Sequence, residues 1–418
     1  MIIQSDGSQD NFVSKEFSFQ ERSNLILALE DALLVAPKKR SVDRGLFWAV
    51  NVLLNDPPNA LPALRELLQV LSSVPALEHF QHARQFNPWG DYKIDLDFLT
   101  EWLIARGQQV GAKQCIADLE HYLSASSIEI TTILAATVRS SALESIVKAG
   151  EYEIVPWNNL PLNDNKWNIE LKNLYNLRLP TTAVVSHDTI CPIHLKPWDE
   201  TPTLKLESIE PMIDVLRCMT VIMGASYKLT HFWREGSEWA PWYVDQSDFS
   251  VDNTTRPLLM DTNTGSWEQV CAFFECFNRL DNSSRERYRI PIDRLNKSIL
   301  QGSRFVDAAI ELGITLESLY VPKKSLEGIG SLLRTRAAKF LGGDPEIRHK
   351  NAKTLKDVYD LRSRAIHSGH FDADKTWKDP QKIMTALEDG RFLARKTIQK
   401  LIIEGEPNWD DLDLGIEP

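Results

Sequence analysis

FVDAAIELGITLESLY, from Phe305 to Tyr320, is the stretch that decides how the C-terminal third of this chain folds. Five of its apolar residues recur at spacings of four, three, four and three, and they are Phe305, Ala309, Leu312, Leu316 and Leu319. This spacing places them on one face of an α-helix. The stretch therefore predicts an amphipathic helix that packs against other helices.

The same helical period returns in four stretches on either side of this one. Their apolar stripes are Val270, Phe273, Phe274, Phe277 and Leu280; Ile329, Leu332, Leu333, Ala337 and Phe340; Leu355, Val358, Leu361 and Ala365; and Met384, Leu387, Ala394, Ile398 and Leu401. Pro322 and the turn from Gly342 to Pro345 separate neighbouring helices. Five helices with short connections are typical of a helical bundle, which we predict over residues 265–403.

The chain before Gly265 has a different texture. Leucines at spacings of three and four predict helices up to about Leu123, whereas short β-rich runs such as IEITTILAATV follow from Ser127 to about Leu259. One helical run, Ile209 to Met223, interrupts them. The predicted fold class is therefore α+β: a mixed N-terminal region (1–264), for which a division into a helical part (1–126) and a β-rich part (127–264) stays open, an all-α bundle (265–403) and a solvated acidic tail (404–418).

The composition is that of a globular protein. Apolar residues make up 43% and charged residues 25% of the 418 residues, which argues against disordered, fibrous or coiled-coil classes. No run of 18 apolar residues is present, and the N-terminus lacks the pattern of a signal peptide, so we expect a cytoplasmic protein without a membrane partner. The five cysteines are too sparse for a disulfide framework and are expected as free thiols.

Charge is unevenly distributed along the chain. The net charge is −11, yet Asp281 to Lys400 contains 24 Lys and Arg against 16 Asp and Glu. A net-acidic chain is not typical of a general nucleic-acid binder, whereas a locally basic bundle can meet phosphate groups. Solubility explains the same split equally well.

The candidate chemistry lies in VYDLRSRAIHSG, from Val358 to Gly369, where four residues separate Arg362 from His367. Histidine can exchange a proton near neutral pH, and arginine can hold a phosphate and its developing charge. Residues five apart lie about 140° apart around a helix, so one helix directs them poorly toward one point. A helix end near Gly369, or a second copy of the helix across a dimer interface, would bring such groups together.

Three segments of the bundle carry a family resemblance: LGITLESLY (Leu312 to Tyr320), LLRTRAAKFLGG (Leu332 to Gly343) and VYDLRSRAIHSG. They resemble HEPN domains of the Apea-like branch, over roughly Ser266 to Ile403. The resemblance implies a HEPN-type bundle and a metal-independent endoribonuclease that acts as a homodimer. The implied catalytic residues are Arg362 and His367 of each protomer, and Ser363 stands where catalytic members often have Asn, Asp or His.

The resemblance also implies a biological setting and a reaction. HEPN ribonucleases are found in toxins, abortive infection and anti-phage defence. The implied reaction is attack of a ribose 2′-hydroxyl on the adjacent phosphate, with His367 as general acid and base and Arg362 stabilising the phosphorane. Transfer, ribosomal and messenger RNA all present these groups, so the substrate stays open.

Several neighbouring residues have two interpretations. Glu317 and Tyr359 either support the site or belong to a solvated edge and to the packed bundle. His367 either takes part in catalysis or interacts with the helix C-terminus. Arg364 with His370 forms a rival pair with five intervening residues; alternatively both contact RNA. Arg334, Arg336 and Lys339, with Arg348 and Lys350, form either a basic rim for RNA phosphates or a solvated helix face.

We expect no cofactor and no metal. His187, Cys191 and His194 are close in sequence, but no fourth zinc ligand accompanies them. A P-loop, a dinucleotide fingerprint and a nucleophile elbow are also missing from the sequence. The N-terminal region is the expected place for a phage or protein trigger, and its acidity suggests that it masks the RNA groove. The alternative function is a non-catalytic HEPN adaptor that dimerises and binds RNA or nucleotides.

Overall fold

In the computed structural model the described residues are 17–36, 61–78, 80, 85–87, 90–92, 96–138, 143–161, 166, 169–170, 179–190, 209–241, 246–248, 265–302, 304–321, 328–369, 371, 377 and 379–414. They form an N-terminal group of helices, an antiparallel sheet and a larger C-terminal group of helices. The coarse α+β prediction is confirmed.

The N-terminal helices have a hydrophobic core of their own. They are α1 (Phe19–Val35), α2 (Leu61–Ser73), α3 (Leu96–Val110) and α4 (Ala112–Ser124), with a short hairpin of β1 (Gln85–Asn87) and β2 (Gly90–Tyr92). Ser18 begins α1 with a capping box, since its hydroxyl accepts from the backbone N–H of Glu21 and the Glu21 carboxylate accepts from that of Ser18. The buried leucines of α2 are Leu64, Leu67 and Leu71, while Leu68 is half-buried.

The predicted β-rich region forms a six-stranded sheet. Its strands are β3 (Ile128–Val138), β4 (Val147–Ala149), β5 (Tyr152–Pro156), β6 (Thr182–Ile190), β7 (Tyr227–Gly236) and β8 (Gln246–Asp248). Their order is β4-β5-β6-β3-β7-β8, and every pair is antiparallel. The predicted run IEITTILAATV is the central strand β3. Its pairing with β7 shifts register between Ala135 and Ala136.

Helix α5 (Glu210–Met223) joins the sheet to the C-terminal helices. The predicted run from Ile209 is confirmed as this helix, and nearly all of its residues are buried, including Met212, Leu216 and Met219. It contacts β6 on one side and C-terminal helices on the other. A helix that is buried on nearly all sides lies inside a larger core.

The five helices predicted in the C-terminal third are present, and a further one accompanies them. They are α6 (Trp267–Asn278), α7 (Asn282–Gln301), α8 (Phe305–Tyr320), α9 (Ile329–Leu341), α10 (Pro345–Ser368) and α11 (Pro380–Glu404). The additional helix is α7. Its buried stripe of Tyr288, Ile292, Leu295 and Ile299 has helical spacing, but many charged residues and an internal Pro291 surround it. In α11, Ile383 is buried and the predicted core residue Met384 is exposed.

The predicted domain boundary at Gly265 crosses a hydrophobic core. Leu134 and Val184 of the sheet and Met219 of α5 share one buried cluster with Phe274 of α6 and Leu316 of α8. The N-terminal helices contribute instead to a separate cluster that ends at Ile128, with Ala240 added from a later segment. The cores of the described residues therefore divide near residue 128. The reason is that α5 and one face of the sheet bury their apolar residues against the C-terminal helices, while the other face of the sheet forms a small cluster of its own around Trp157 and Trp233.

The predicted acidic tail is folded onto the bundle up to Leu414. A short helix, α12 (Trp409–Leu414), places the Trp409 ring 5.5 Å from the ring of Phe340 and 5.8 Å from that of Tyr320. Asp413 accepts from the guanidinium of Arg336, with 2.7 Å between Nη2 and Oδ2. The acidic residues of this segment are thus partners of bundle cations as well as solvated groups.

Candidate functional site

Helix α8 is the element on which the candidate site is built. It contacts α7, α9, α10 and α11, and its buried face contains Leu312, Thr315, Leu316 and Leu319. A helix surrounded in this way can hold a polar side chain of a neighbouring helix in a fixed position.

Gly313 of α8 makes room for Arg362 of α10. A methyl group built on Gly313 would lie 2.8 Å from Cδ and 2.9 Å from Cβ of Arg362. Only glycine therefore allows the aliphatic stem of Arg362 to cross α8 at this point. Glycine in a helix interior is costly, and this contact gives Gly313 a packing reason.

Glu317, one turn after Gly313, receives the end of the same side chain. Nη2 of Arg362 donates to Oε2 of Glu317 at 2.9 Å, and the two side chains are 22% and 20% exposed. Nε of Arg362 and Oε1 of Glu317 are both buried without a hydrogen-bond partner among the described residues. The pair is thus joined by one hydrogen bond and not by the bidentate geometry that these two groups can form.

Burial also changes the acidity of Glu317. Desolvation raises the pKa of its carboxyl above the usual value, and the positive charge of Arg362 opposes this rise. Because burial is the larger effect, this carboxylate takes up a proton more readily than an exposed one. Protonation removes the charge that holds the Arg362 guanidinium on α8.

His367 lies in the last turn of α10, where the side chain is exposed. The helix ends as predicted at Gly369, whose φ of 69° is left-handed and whose N–H donates to the carbonyl of Ala365 at 3.1 Å. A protonated imidazole at this position interacts favourably with the helix C-terminus. The location therefore fits both interpretations of His367.

Arg362 and His367 face different sides of α10 within one chain. The helix continues without a break through both residues, so their side chains project about 140° apart. Arg362 is directed onto α8, while His367 is directed to solvent. A single chain does not bring the two predicted catalytic groups together.

The predicted supporting residues lie around this pair. Tyr359 is half-buried, and its ring packs on α9, where a methyl group built on Gly330 would lie 3.0 Å from Cε1. Ser363 is half-buried on α10, next to Arg362. Arg364 is exposed, and it takes part in an interaction. His370 lies outside the described residues, as do Cys191 and His194.

Arg336, which the sequence assigns to a basic rim or a solvated helix face, is buried. It is 3% exposed, donates to Asp413 and to the carbonyl of Tyr320, and lies 5.2 Å from the Trp409 ring. Lys339 is also engaged, since its ammonium donates to the carbonyls of Leu412 and Asp413. Both cations hold α12 on the bundle, and the acidic segment that they bind is distant in sequence.

The remaining rim residues are closer to solvent. Arg334 is half-buried and donates through Nε to the carbonyl of Gly330 at 3.1 Å. Arg348 and Lys350 are exposed near the start of α10. These three cations are compatible with either a phosphate-binding surface or a solvated face.

Gly313 is the site residue that the sequence interpretation passed over. The detectable signal was a glycine inside LGITLESLY, four residues before Glu317, in an otherwise strong helical pattern.

Within the described residues no group of three His, Cys, Asp or Glu side chains is arranged to hold a metal ion. His187 on β6 is instead 3.2 Å from the hydroxyl of Thr131 through Nδ1. No helix of the described residues is long and apolar enough to cross a membrane.

No protein-family model, curated protein or solved structure matches this chain.

Proposed function

We propose that this chain is an endoribonuclease of the HEPN type, and that Arg362 and His367 are its catalytic residues. The observation that supports this most directly is the arrangement on α10. Gly313 and Glu317 hold the Arg362 cation in place, and His367 is exposed five residues further along the same helix. A positioned cation and an accessible imidazole are the two groups that metal-independent phosphodiester cleavage requires.

The reaction is a transfer within the RNA backbone. His367 takes the proton of a ribose 2′-hydroxyl, whose oxygen then attacks the adjacent phosphorus. Arg362 stabilises the additional charge on the phosphorane oxygens. The 5′-oxygen of the next nucleotide leaves with a proton from an imidazolium, and the products carry a 2′,3′-cyclic phosphate and a 5′-hydroxyl.

The active form is a homodimer. Because Arg362 and His367 diverge within one chain, a site that uses both is completed by a second copy of α10 across a two-fold axis. Ile366, beside His367, is 50% exposed, so an apolar group is available at this position of the interface. The partner RNA is transfer, ribosomal or messenger RNA.

The setting is defence: an abortive-infection or anti-phage toxin whose N-terminal region responds to a phage or protein trigger. The separate core of the N-terminal helices supports a distinct regulatory unit there. This core lies within the predicted regulatory region (1–264), and it is separate from the core that the sheet shares with the C-terminal helices.

The test is RNA cleavage by the purified full-length protein in EDTA, with mapping of the product ends. We compare the wild type with His367→Ala and Arg362→Ala, and we use His349→Ala as a matched control. His349 is exposed on the same helix, where its Nδ1 lies 2.7 Å from the carbonyl of Pro345.

The expected result is cleavage with cyclic-phosphate ends in wild type and His349→Ala, and a loss of at least about a hundredfold in the other two variants. Equal cleavage by all four proteins would overturn the assignment of the residues. If the purified wild type cleaves no RNA, the assignment of the residues requires a second result. Expression of the wild type in cells that contain the trigger should arrest growth, and the Arg362 and His367 variants alone should lose this effect.

The second candidate is a non-catalytic adaptor that dimerises and binds RNA or nucleotides. The observation that favours it is the Glu317 carboxylate, which already partners the Arg362 guanidinium in the free protein. In that case the wild type binds RNA, and neither binding nor toxicity depends on His367.

A further inference from the structure

A pocket of about 420 Å³ lies between the C-terminal end of α5, helix α6 and the C-terminal half of α11. We call it the α6–α11 pocket. Ile222, Phe273, Phe392 and Ile403 form apolar walls, and Arg395 and Lys396 supply two cations. Cavities of this size accept a small organic molecule. None of the residues of the proposed ribonuclease site lines it, so it is a separate feature of the protein.

Arg395 is an unusually placed cation. It is only 3% exposed, and two of its nitrogens donate to carbonyls at the end of α5: Nε to Val221 at 2.7 Å and Nη2 to Ile222. The third nitrogen, Nη1, is buried without a partner among the described residues. Gly224, with a left-handed φ of 69°, lies against Nη1, and any side chain there would collide with the guanidinium.

The charge of Arg395 is not neutralised by the groups that it contacts. The carbonyls at the C-terminal end of α5 carry a partial negative charge, about half an elementary charge, which stabilises a cation but is not a full counter-charge. Burial lowers the pKa of Arg395 to about 10, and no carboxylate of the described residues opposes this effect. At neutral pH the side chain therefore remains a buried cation, and the described residues supply no anion to pair with it. Buried charges in proteins are normally paired.

The pocket wall reinforces this imbalance. Its described residues include no Asp or Glu, and Lys396 adds a second positive charge on the exposed side. The Lys396 ammonium lies 4.8 Å from the centre of the Phe392 ring, which is 41% exposed. The ammonium thus covers one face of the Phe392 ring, and the rest of this partly exposed ring offers apolar surface to a flat or aliphatic group.

We propose that the α6–α11 pocket binds a small organic anion, with its anionic group at Arg395 and Lys396 and its apolar body against Ile222, Phe273 and Phe392. The shared chemistry is one carboxylate or similar anion on an apolar body of about ten carbons. An anion there offsets the charge of the buried Arg395 through space and contacts the exposed Lys396 ammonium, while the apolar body displaces water from the walls. Two kinds of body, a flat aromatic one and an extended aliphatic one, satisfy this chemistry.

The test is isothermal titration calorimetry of the full-length protein with 2-naphthoate and with decanoate. The neutral analogues 2-naphthalenemethanol and decanol serve as matched ligands. We expect at least one of the two anions to bind with 1:1 stoichiometry and its neutral analogue to bind about tenfold or more weakly, as the loss of a charge-assisted contact predicts. The anion that binds more tightly identifies the aromatic or the aliphatic source. Equal affinities of anion and alcohol, or no binding of either anion, would overturn the proposal.

Variants locate the binding. Lys396→Met is expected to lower the affinity for the anion by about threefold to tenfold. Ala272→Trp fills the pocket and should abolish binding. Lys382→Met is the control, because Lys382 is an exposed lysine of the same helix that does not line the pocket. Equal weakening in both lysine variants would indicate nonspecific attraction and would contradict the assignment.

A measurement on the unaltered protein complements these variants. Cys276 lines the pocket, whereas Cys271, on the same helix and also half-buried, does not. A saturating anion should slow alkylation of Cys276 by iodoacetamide and leave Cys271 unchanged, as read by peptide mass spectrometry. Slower alkylation of both thiols, or of neither, would place the anion elsewhere.

Discussion

Nη2 of Arg362 lies 2.9 Å from Oε2 of Glu317, and this contact joins α10 to α8 across 45 residues of sequence. Gly313 makes it possible, because the stem of Arg362 passes where a Cβ atom would be. The predicted catalytic arginine is thus part of the packing between two helices as well as a polar group at the surface. Substitutions in α8 should therefore alter the position of the Arg362 side chain on α10.

Gly313→Ala should destabilise the protein and displace Arg362. The added methyl group overpacks the α8–α10 contact, and overpacking typically costs about 1–3 kcal/mol. Urea unfolding measures this loss. Gly107→Ala is the control: it is also a helical glycine, but its added methyl group meets the flexible end of Leu33, so its effect should be smaller. Equal stability of the two variants would contradict the packing role of Gly313.

Glu317→Gln should change how stability depends on pH. The pKa of Glu317 is raised in the folded state, so the folded protein binds this proton more tightly than the unfolded chain does. That contribution is fully present below the unfolded pKa and is lost as pH rises through the folded pKa. The variant, which cannot titrate here, should gain stability relative to the wild type as pH rises above about 4.5. Unfolding curves at several pH values check this, and a constant difference would contradict the raised pKa.

Asp214→Ala should be strongly destabilising. Asp214 is 1% exposed and accepts from Arg217 at 2.7 Å and from Arg289 at 2.6 Å, where α5 meets α7. Removing one member of a buried ionic network costs about 3–5 kcal/mol, since the remaining charges lose their partner. Glu210→Ala removes another partner of Arg217 whose side chain is 43% exposed, and it should cost about 1 kcal/mol or less. Thermal unfolding of both variants decides whether burial controls the effect.

The boundary of the C-terminal unit can be tested with two fragments. Residues 126–418 retain the sheet, α5 and the C-terminal helices, whereas residues 265–418 lose the partners of α6, such as Tyr152, whose ring lies 5.9 Å from that of Phe274. We expect cooperative unfolding of the first fragment. The second should expose apolar surface, bind a hydrophobic dye and unfold without a sharp transition. Cooperative unfolding of fragment 265–418 without dye binding would restore the boundary at 265.

A variant of Ile366 tests the proposed dimer. Ile366→Asp places a charge beside His367 at the proposed interface and should shift the protein toward monomer in sedimentation velocity, with a parallel loss of RNA cleavage. Ile347→Asp is the control, since Ile347 is a similarly exposed isoleucine, 48% against 50%, near the other end of α10. A dimer that both variants leave intact would place the interface elsewhere.

The sequence by itself determined the elements and their apolar faces. The spacing in FVDAAIELGITLESLY predicted α8, the β-rich run IEITTILAATV predicted the strand β3, and Gly369 predicted the end of α10. These features follow from short-range periodicity and from the left-handed backbone that favours glycine. The helix α7 was missed for the same reason, because charged residues and Pro291 dilute its stripe.

Only the tertiary structure decided which partner each face and each charge has. Periodicity shows that a face is buried but not against what, so the common core of α5, the sheet and the bundle was not predictable. The same limit applies to charges. Arg336 pairs with Asp413, 77 residues away, and Arg362 pairs with Glu317, while Arg395 is buried without an anion among the described residues. Long-range pairing of charges depends on how helices pack, and that packing has no local signal in the sequence.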